Sequence, residues 1–191
     1  NVLDISKIEA KRISLNPRPF NFERMLNDIE EMFRLKTDEK RLDLAFKTER
    51  NVPLNLKADE VKIRQILINL LNNAVKFTRA GGVTVRVYLA AIVENKARIA
   101  IDVEDTGPGI APKEMDKLFK AFEQTASGRD AQEGTGLGLS ISRKFVQLMG
   151  GDITVSSNVG QGTVFKFEID AEIIETGQAE DAEGDQTEKE T

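Results

Sequence analysis

Three short runs carry side chains with chemistry to offer, and they follow one another in a fixed order. Asn69 to Thr78 reads Asn-Leu-Leu-Asn-Asn-Ala-Val-Lys-Phe-Thr, Asp105 to Ile110 reads Asp-Thr-Gly-Pro-Gly-Ile, and Gly134 to Leu139 reads Gly-Thr-Gly-Leu-Gly-Leu. The first offers amide oxygens and an ammonium group, the second a carboxylate beside glycines, the third a glycine-rich entry to a helix. Together these are the parts needed to hold a magnesium–nucleotide, and the ordered set says far more than any member alone.

At ~100° per residue, Asn69, Asn73 and Lys76 fall within an arc of ~60° on a helix. Ile66, Leu67, Leu70, Leu71 and Ala74 occupy a neighbouring, wider face that must be buried. Amide oxygens suit a hard cation such as Mg²⁺ that keeps waters and shares phosphate oxygens, and Lys76 would meet phosphate as a point charge. A solvated polar stripe has the same pattern, although two mid-helix asparagines are poor helix formers. Asp105 ends a strand-like run and precedes Gly107-Pro108-Gly109, where the backbone can approach a ligand closely. A lone carboxylate in an apolar slot accepts a hydrogen bond from the N6 amine of adenine and repels a guanine oxygen. A charged hydrogen bond of ~1.5–3 kcal/mol corresponds to roughly 10- to 150-fold in favour of adenine. A tight turn closing a strand would also account for Asp-x-Gly.

Gly134, Gly136 and Gly138 lead into an amphipathic helix, whose unpaired N–H groups attract phosphate. No Gly-Lys-Ser/Thr follows, so this is not a Walker A loop. A polar loop and not a strand precedes it, which argues against a dinucleotide fingerprint. Residues 123–133 are polar, lack periodicity, and are placed to act as a lid. Phe119 and Phe122 read as anchors of the lid base in the core, and Arg129 as a solvated lid charge, with contact to a terminal phosphate as the alternative.

The elements that must position these residues are legible from periodicity. Residues 1–13, with Val2, Ile5, Ile8 and Ile13, look like the last turns of a longer helix, broken by Pro17 and Pro19. Phe20 and Phe22 alternate as a short edge strand would. A helix is expected over 22–40, with Met25, Leu26, Ile29, Met32 and Phe33 on one face, then a strand through Leu42, Leu44 and Phe46. Asp59 is the expected N-cap of a helix running to about Ala80 and closed by Gly81-Gly82. Strands follow over 83–93 and 97–104, then a short helix opened by Pro112, a helix over 137–149, and strands over 152–157 and 163–170. The order of helices and strands lacks a strict βαβ rhythm. It implies a two-layer α/β sandwich: a mixed, mostly antiparallel sheet covered on one face by helices.

Composition bounds the rest. With 191 residues, 40% hydrophobic and 31% charged, the chain suits one globular domain with a substantial core. There is no Cys and no His, which removes thiolate sites and the commonest general base near neutral pH. No apolar run approaches the ~20 residues of a membrane span. Eight acidic residues and one lysine lie in 171–191, against a net charge of -5 for the whole chain. The body is therefore nearly neutral, with no basic stripe for nucleic acid, and the acidic end reads as a disordered tail or linker.

These motifs resemble the catalytic and ATP-binding domain of sensor histidine kinases. Asn69 to Thr78 is similar to that family's N box, Asp105 to Ile110 to its first glycine box, Leu118 to Phe122 to its phenylalanine box, and Gly134 to Leu139 to its second glycine box. Gly160-Gln161-Gly162-Thr163 resembles the turn between its last two strands. The resemblance implies the Bergerat fold over residues 14–170, Mg²⁺ and ATP as cofactors, and transfer of the γ-phosphate to a histidine on a partner helix. It implies Asn73 as principal metal ligand with Asn69 assisting, Lys76 on phosphate and Asp105 on adenine. Phe77, Gly107, Gly109, Ile110, Gly134, Thr135, Gly136, Leu137, Gly138 and Thr163 complete the implied nucleotide set. Val2 to Lys11 resembles the end of the dimerisation helix pair, with Lys11 where Gly is common. With no His, autophosphorylation on His is excluded. The stretch is expected to be a monomeric module of a homodimeric parent, and the similarity to hybrid kinases makes the acidic end a candidate link to a receiver domain. A cytoplasmic-face location is implied, with membrane attachment of the parent open. An ATP-driven clamp of the same superfamily, and a nucleotide-sensing module, stand as alternatives. The clamps carry a glutamate where Asn69 stands, and an amide cannot act as base.

Overall fold

The computed structural model describes residues 14–120 and 137–174. Seven strands form one sheet in the order β1-β3-β7-β5-β4-β2, with β6 also pairing β7. The strands are β1 (Arg18–Asn21), β2 (Asp43–Thr48), β3 (Asn55–Ala58), β4 (Gly82–Val93), β5 (Lys96–Asp105), β6 (Ile153–Asn158) and β7 (Gly162–Ile173). Every pairing is antiparallel except β2 with β4. The helices are α1 (Phe22–Lys40), α2 (Glu60–Phe77), α3 (Pro112–Met115) and α4 (Gly138–Leu148). This is the expected two-layer sandwich with a mixed, mostly antiparallel sheet.

Strand alternation divides the sheet into two faces. Val83, Val85, Val87, Ile99, Ile101, Val103, Phe165, Phe167 and Ile169 are buried and point to the helices. The opposite face carries Arg86 bonded to Glu104, Tyr88 to Asp102 and Arg98 to Asp170, a ladder of cross-strand polar pairs. The helices bury Met25, Leu26, Ile29 and Phe33 of α1, Ile63, Ile66, Leu67, Leu70, Leu71 and Ala74 of α2, and Ile141, Phe145 and Val146 of α4.

Local chemistry fixes the helix that carries the first motif. Asp59 caps α2 by accepting from Lys62 N at 3.1 Å, and its other oxygen accepts from Asn16 N at 2.9 Å and Lys62 Nζ at 2.7 Å. At the far end, Lys40 Nζ donates to the Val75 carbonyl at 2.7 Å, a cation on the negative end of the helix dipole.

Four expectations need correction. The helix α2 stops at Phe77, three residues before Ala80, because Thr78 takes an extended conformation; Gly81-Gly82 therefore leads into β4, which starts at Gly82, and does not close α2. Met32 is exposed by 44%, so the buried stripe of α1 is narrower than its periodicity suggests. β7 runs to Ile173, which brings it into pairing with β3, a strand that the sequence pattern does not announce. Phe22 starts α1 and does not belong to the edge strand. Residues 1–13, the lid 123–133, and the acidic end beyond Ile174 lie outside the described residues. Among the described residues no helix is long and apolar enough to cross a membrane.

Candidate functional site

Strand register assembles one wall of the site. Asp105, at the end of β5, pairs with Thr163 of β7 and with Val83 of β4, while Thr163 pairs in turn with Ser157 of β6. Antiparallel partners share a face, so this row of side chains runs across the sheet on the side that the helices cover. Asp105 and Thr163 are 8% and 5% exposed, a low exposure for a carboxylate that no cation among the described residues meets.

The Asp105 carboxylate is held by backbone. Gly107 N donates to its Oδ1 at 2.8 Å. Burial pushes the carboxyl above its ordinary value of 3.8, and hydrogen bonds from the Gly107 and Thr163 backbones only partly oppose this. A carboxylate with a raised pKa can still accept from a further neutral donor such as an amine.

Ser157 ties this wall to the glycine loop that follows Asp105. Its Oγ accepts from Ile110 N at 2.8 Å, donates to the Gly162 carbonyl at 2.8 Å, and lies 2.9 Å from Thr163 Oγ1, which is then the donor of that pair. Gly160 N donates to the Pro108 carbonyl at 2.7 Å, a second link between the same two turns. Sequence reasoning singles out Ile110 and Thr163 but not Ser157, since a serine at period two in a strand has no distinctive signal. Replacing Ser157 by Ala should orphan two backbone groups and cost about 1–3 kcal/mol. Urea unfolding checks this, and a midpoint unchanged from the parent would show that the hub carries no stability.

The opposite wall is the polar stripe of α2. Asn69, Asn73, Lys76 and Phe77 are all half-buried. Asn69 Nδ2 donates to the buried Ser142 Oγ of α4 at 3.0 Å. Its Oδ1 sits so near the start of α4 that a Cβ on Gly138 would lie 2.2 Å from it. Only glycine at 138 allows this approach. The Lys76 ammonium lies 5.4 Å from the centre of the Phe77 ring.

The start of α4 is preceded by the buried Leu137, which provides no side-chain cap. Helix starts without a side-chain cap leave first-turn N–H groups open to an anion, and Asn69 lies beside this one. Gly134, Thr135, Gly136, Phe122 and Arg129 lie outside the described residues. Phe119 packs against the core, with the Arg143 guanidinium 4.8 Å above its ring. Of the expected nucleotide residues, Asn69 and Gly138 are thus brought together, as are Asp105, Gly107 and Thr163, with Ile110 joined to Thr163 through Ser157 and the Phe77 carbonyl beside Gly107.

One observation fits a bound nucleotide. Thr78 Oγ1 is buried without a hydrogen-bond partner, and it borders the space that the missing side chain of Gly107 leaves beside Asp105 Oδ1. Among the described residues no cluster of three or more acidic side chains could hold a metal ion by itself. A cation here would take carboxamide oxygen from α2 and complete its shell with phosphate and water, which is ordinary magnesium chemistry.

Comparison with known proteins gives a consistent family. Residues 58–173 match the family described as histidine kinase-, DNA gyrase B-, and HSP90-like ATPase. The chain is 39% identical over 177 residues to hybrid signal transduction histidine kinase B of Dictyostelium discoideum, covering 92% of this chain and 9% of that protein. The chain therefore spans only a small part of that relative. Full-length ShkA, solved in complex with AMPPNP, superposes with a TM-score of 0.76 at 35% identity, over 91% of this chain and 35% of that one. Histidine kinase ThkA, solved in complex with the response regulator protein TrrA, gives 0.61 at 27% identity, over 88% of this chain and 46% of that one.

Proposed function

Because the chain belongs to the histidine kinase-, DNA gyrase B-, and HSP90-like ATPase family, we propose that it is the phosphoryl-donor domain of a two-component histidine kinase. It places the γ-phosphate of ATP for transfer to a histidine on a separate dimerisation domain. The fold is the Bergerat fold of histidine kinase catalytic domains, and the nucleotide is supported by the family and by the AMPPNP complex of ShkA.

The observation that carries the kinase reading is the state of Asn69. The water-activating ATPases of this superfamily resemble this fold but hold a glutamate one helical turn before the metal-binding asparagine. Here an amide stands there, with its N–H committed to Ser142. It cannot take a proton from water, so the domain positions phosphate without supplying the nucleophile's base. Each other residue then has a task in positioning. Asp105 accepts from the adenine amine, Asn73 and secondarily Asn69 offer carboxamide oxygen to Mg²⁺, and Lys76 and the start of α4 meet phosphate oxygens. A divalent cation, when bound, neutralises charge on the phosphoryl group as it transfers.

The dimerisation domain, a downstream receiver domain and a homodimeric parent complete this reading, with the domain itself monomeric on the cytoplasmic face. The ThkA complex with a response regulator supports the receiver.

Incubating the chain with labelled ATP and a separate histidine-bearing dimerisation domain tests the proposal. Label should appear on that domain, while hydrolysis by the chain alone stays near background. No label on the dimerisation domain would support a sensing module, and fast turnover abolished by Asn69→Ala would support a clamp.

A further inference from the structure

Two residues of α4 clasp the Asn69 carboxamide from one side. Gly138 and Ser142 stand four positions apart, so they share a face of the helix. Gly138 makes the room: a Cβ there would lie 2.2 Å from Asn69 Oδ1, 2.9 Å from its Cγ and 3.0 Å from its Nδ2. Ser142 makes the bond, its hydroxyl accepting from Asn69 Nδ2 at 3.0 Å. The serine is 2% exposed and sits in a row with the buried Ile141, Phe145 and Val146. A hydroxyl among apolar neighbours costs stability unless a partner uses it, and here the partner is a residue of the candidate site.

A carboxamide has two unlike ends, and only its oxygen can meet a cation. The start of α4 has no side-chain cap, and its N–H groups form the positive end of the helix dipole. That end favours Asn69 Oδ1 beside Gly138, while Ser142, one turn further along, gives Nδ2 a partner. Turning the amide over would press Nδ2 against the helix start. Both residues of α4 therefore select the same orientation, and it is set before any ligand arrives.

We propose that Ser142 is a positioning residue for the divalent cation, which it serves by holding the Asn69 carboxamide with its oxygen towards the start of α4. Without the hydroxyl, the side chain turns about its last torsion and spends part of its time with nitrogen forward. Each such excursion removes one oxygen from the cation's shell and brings N–H hydrogens towards a positive charge. Ser142 itself touches neither cation nor phosphate in this role. The proposal rests on the reading of Asn69 as an assisting magnesium ligand given above.

The test is a double-mutant cycle read by calorimetry. AMPPNP is titrated, with Mg²⁺ and again with EDTA, into the parent, Ser142→Ala, Asn69→Asp, the double variant and Asn69→Ala. Ser142→Ala should weaken binding with Mg²⁺ by about 3- to 10-fold, the worth of one hydrogen bond, and leave binding in EDTA within about twofold. An aspartate presents oxygen whichever way it turns. In the Asn69→Asp background, Ser142→Ala should therefore change binding with Mg²⁺ by less than about twofold. A serine that only packs α4 would weaken binding equally with and without the metal, and equally in both backgrounds, which overturns the proposal. So does an unchanged affinity with Mg²⁺ in Ser142→Ala while Asn69→Ala loses the gain that the metal brings. If Asn69→Ala keeps that gain in full, the ligand reading of Asn69 has itself failed, and the role of Ser142 falls with it.

Discussion

Replacing Asp105 by Asn should weaken ATP binding by about 10- to 150-fold and abolish the preference for adenine over guanine nucleotides. The substitution is nearly isosteric, so the loss comes from chemistry and not from volume. Gly107 and Thr163 both direct backbone N–H groups at this side chain, and the adenine amine would add a further donor. A carboxylate can accept from all three, whereas an amide has one oxygen and a donor of its own. Calorimetric titration with ATP and GTP reads both effects, and an unchanged ATP affinity in the variant would remove Asp105 from the site.

The same pair of proteins gives a pH test with a definite sign. Burial raises the folded-state pKa of Asp105 above the ordinary 3.8, so the folded state binds this proton more tightly than the unfolded chain does. Ionised Asp105 therefore opposes folding at neutral pH. The parent should gain stability relative to Asp105→Asn as pH falls through the raised folded pKa towards the unfolded one. The opposite slope would mean that the carboxylate is held by a cation and not strained by burial.

The second large effect is expected at the turn between β6 and β7, where two left-handed glycines differ chiefly in their surroundings. Gly160 has φ +81° with nothing within 4 Å of the place a Cβ would occupy, and Gly162 has φ +105° with the Asp105 carbonyl 1.9 Å from that place. Gly160→Ala should cost only the backbone strain of a left-handed alanine, about 1–3 kcal/mol. Gly162→Ala adds a collision with backbone that cannot rotate away, for a total of about 2–6 kcal/mol. Against a typical domain stability of about 5–15 kcal/mol, the second variant should be partly unfolded at 37 °C. It should also bind ATP weakly, because relieving the collision displaces Asp105. Paired urea titrations decide it; equal losses in the two variants would mean that the close approach is unimportant.

Where sequence and structure agree, the signal is local. The boundaries of α1 follow from Asn21, whose side chain accepts from Arg24 N, and from a clean apolar stripe. The hairpin of β4 and β5 follows from two long alternating runs around Glu94-Asn95. Asp59 announces α2 as a cap. The end of α2 is hidden because its stop signal is tertiary: Thr78 turns away to lie under Gly107, and nothing in Lys-Phe-Thr-Arg-Ala forbids another turn of helix. β3 escapes because four residues after Pro53 acquire their strand character from β1 and β7 and not from their own pattern. At the site, Asn69, Asn73, Asp105 and Gly138 stand out as residue types misplaced for their elements. Ser157, Ser142 and Thr78 do not, since a hydroxyl is ordinary in any element until its neighbours are known.

The most direct test is a crystal structure of the chain with an ATP analogue and Mg²⁺. The purine N6 is expected within hydrogen-bond distance of the Asp105 carboxylate, the cation on the Asn73 carboxamide oxygen, and phosphate oxygens at the start of α4. A base lying away from Asp105, or a cation held without α2, would contradict this placement.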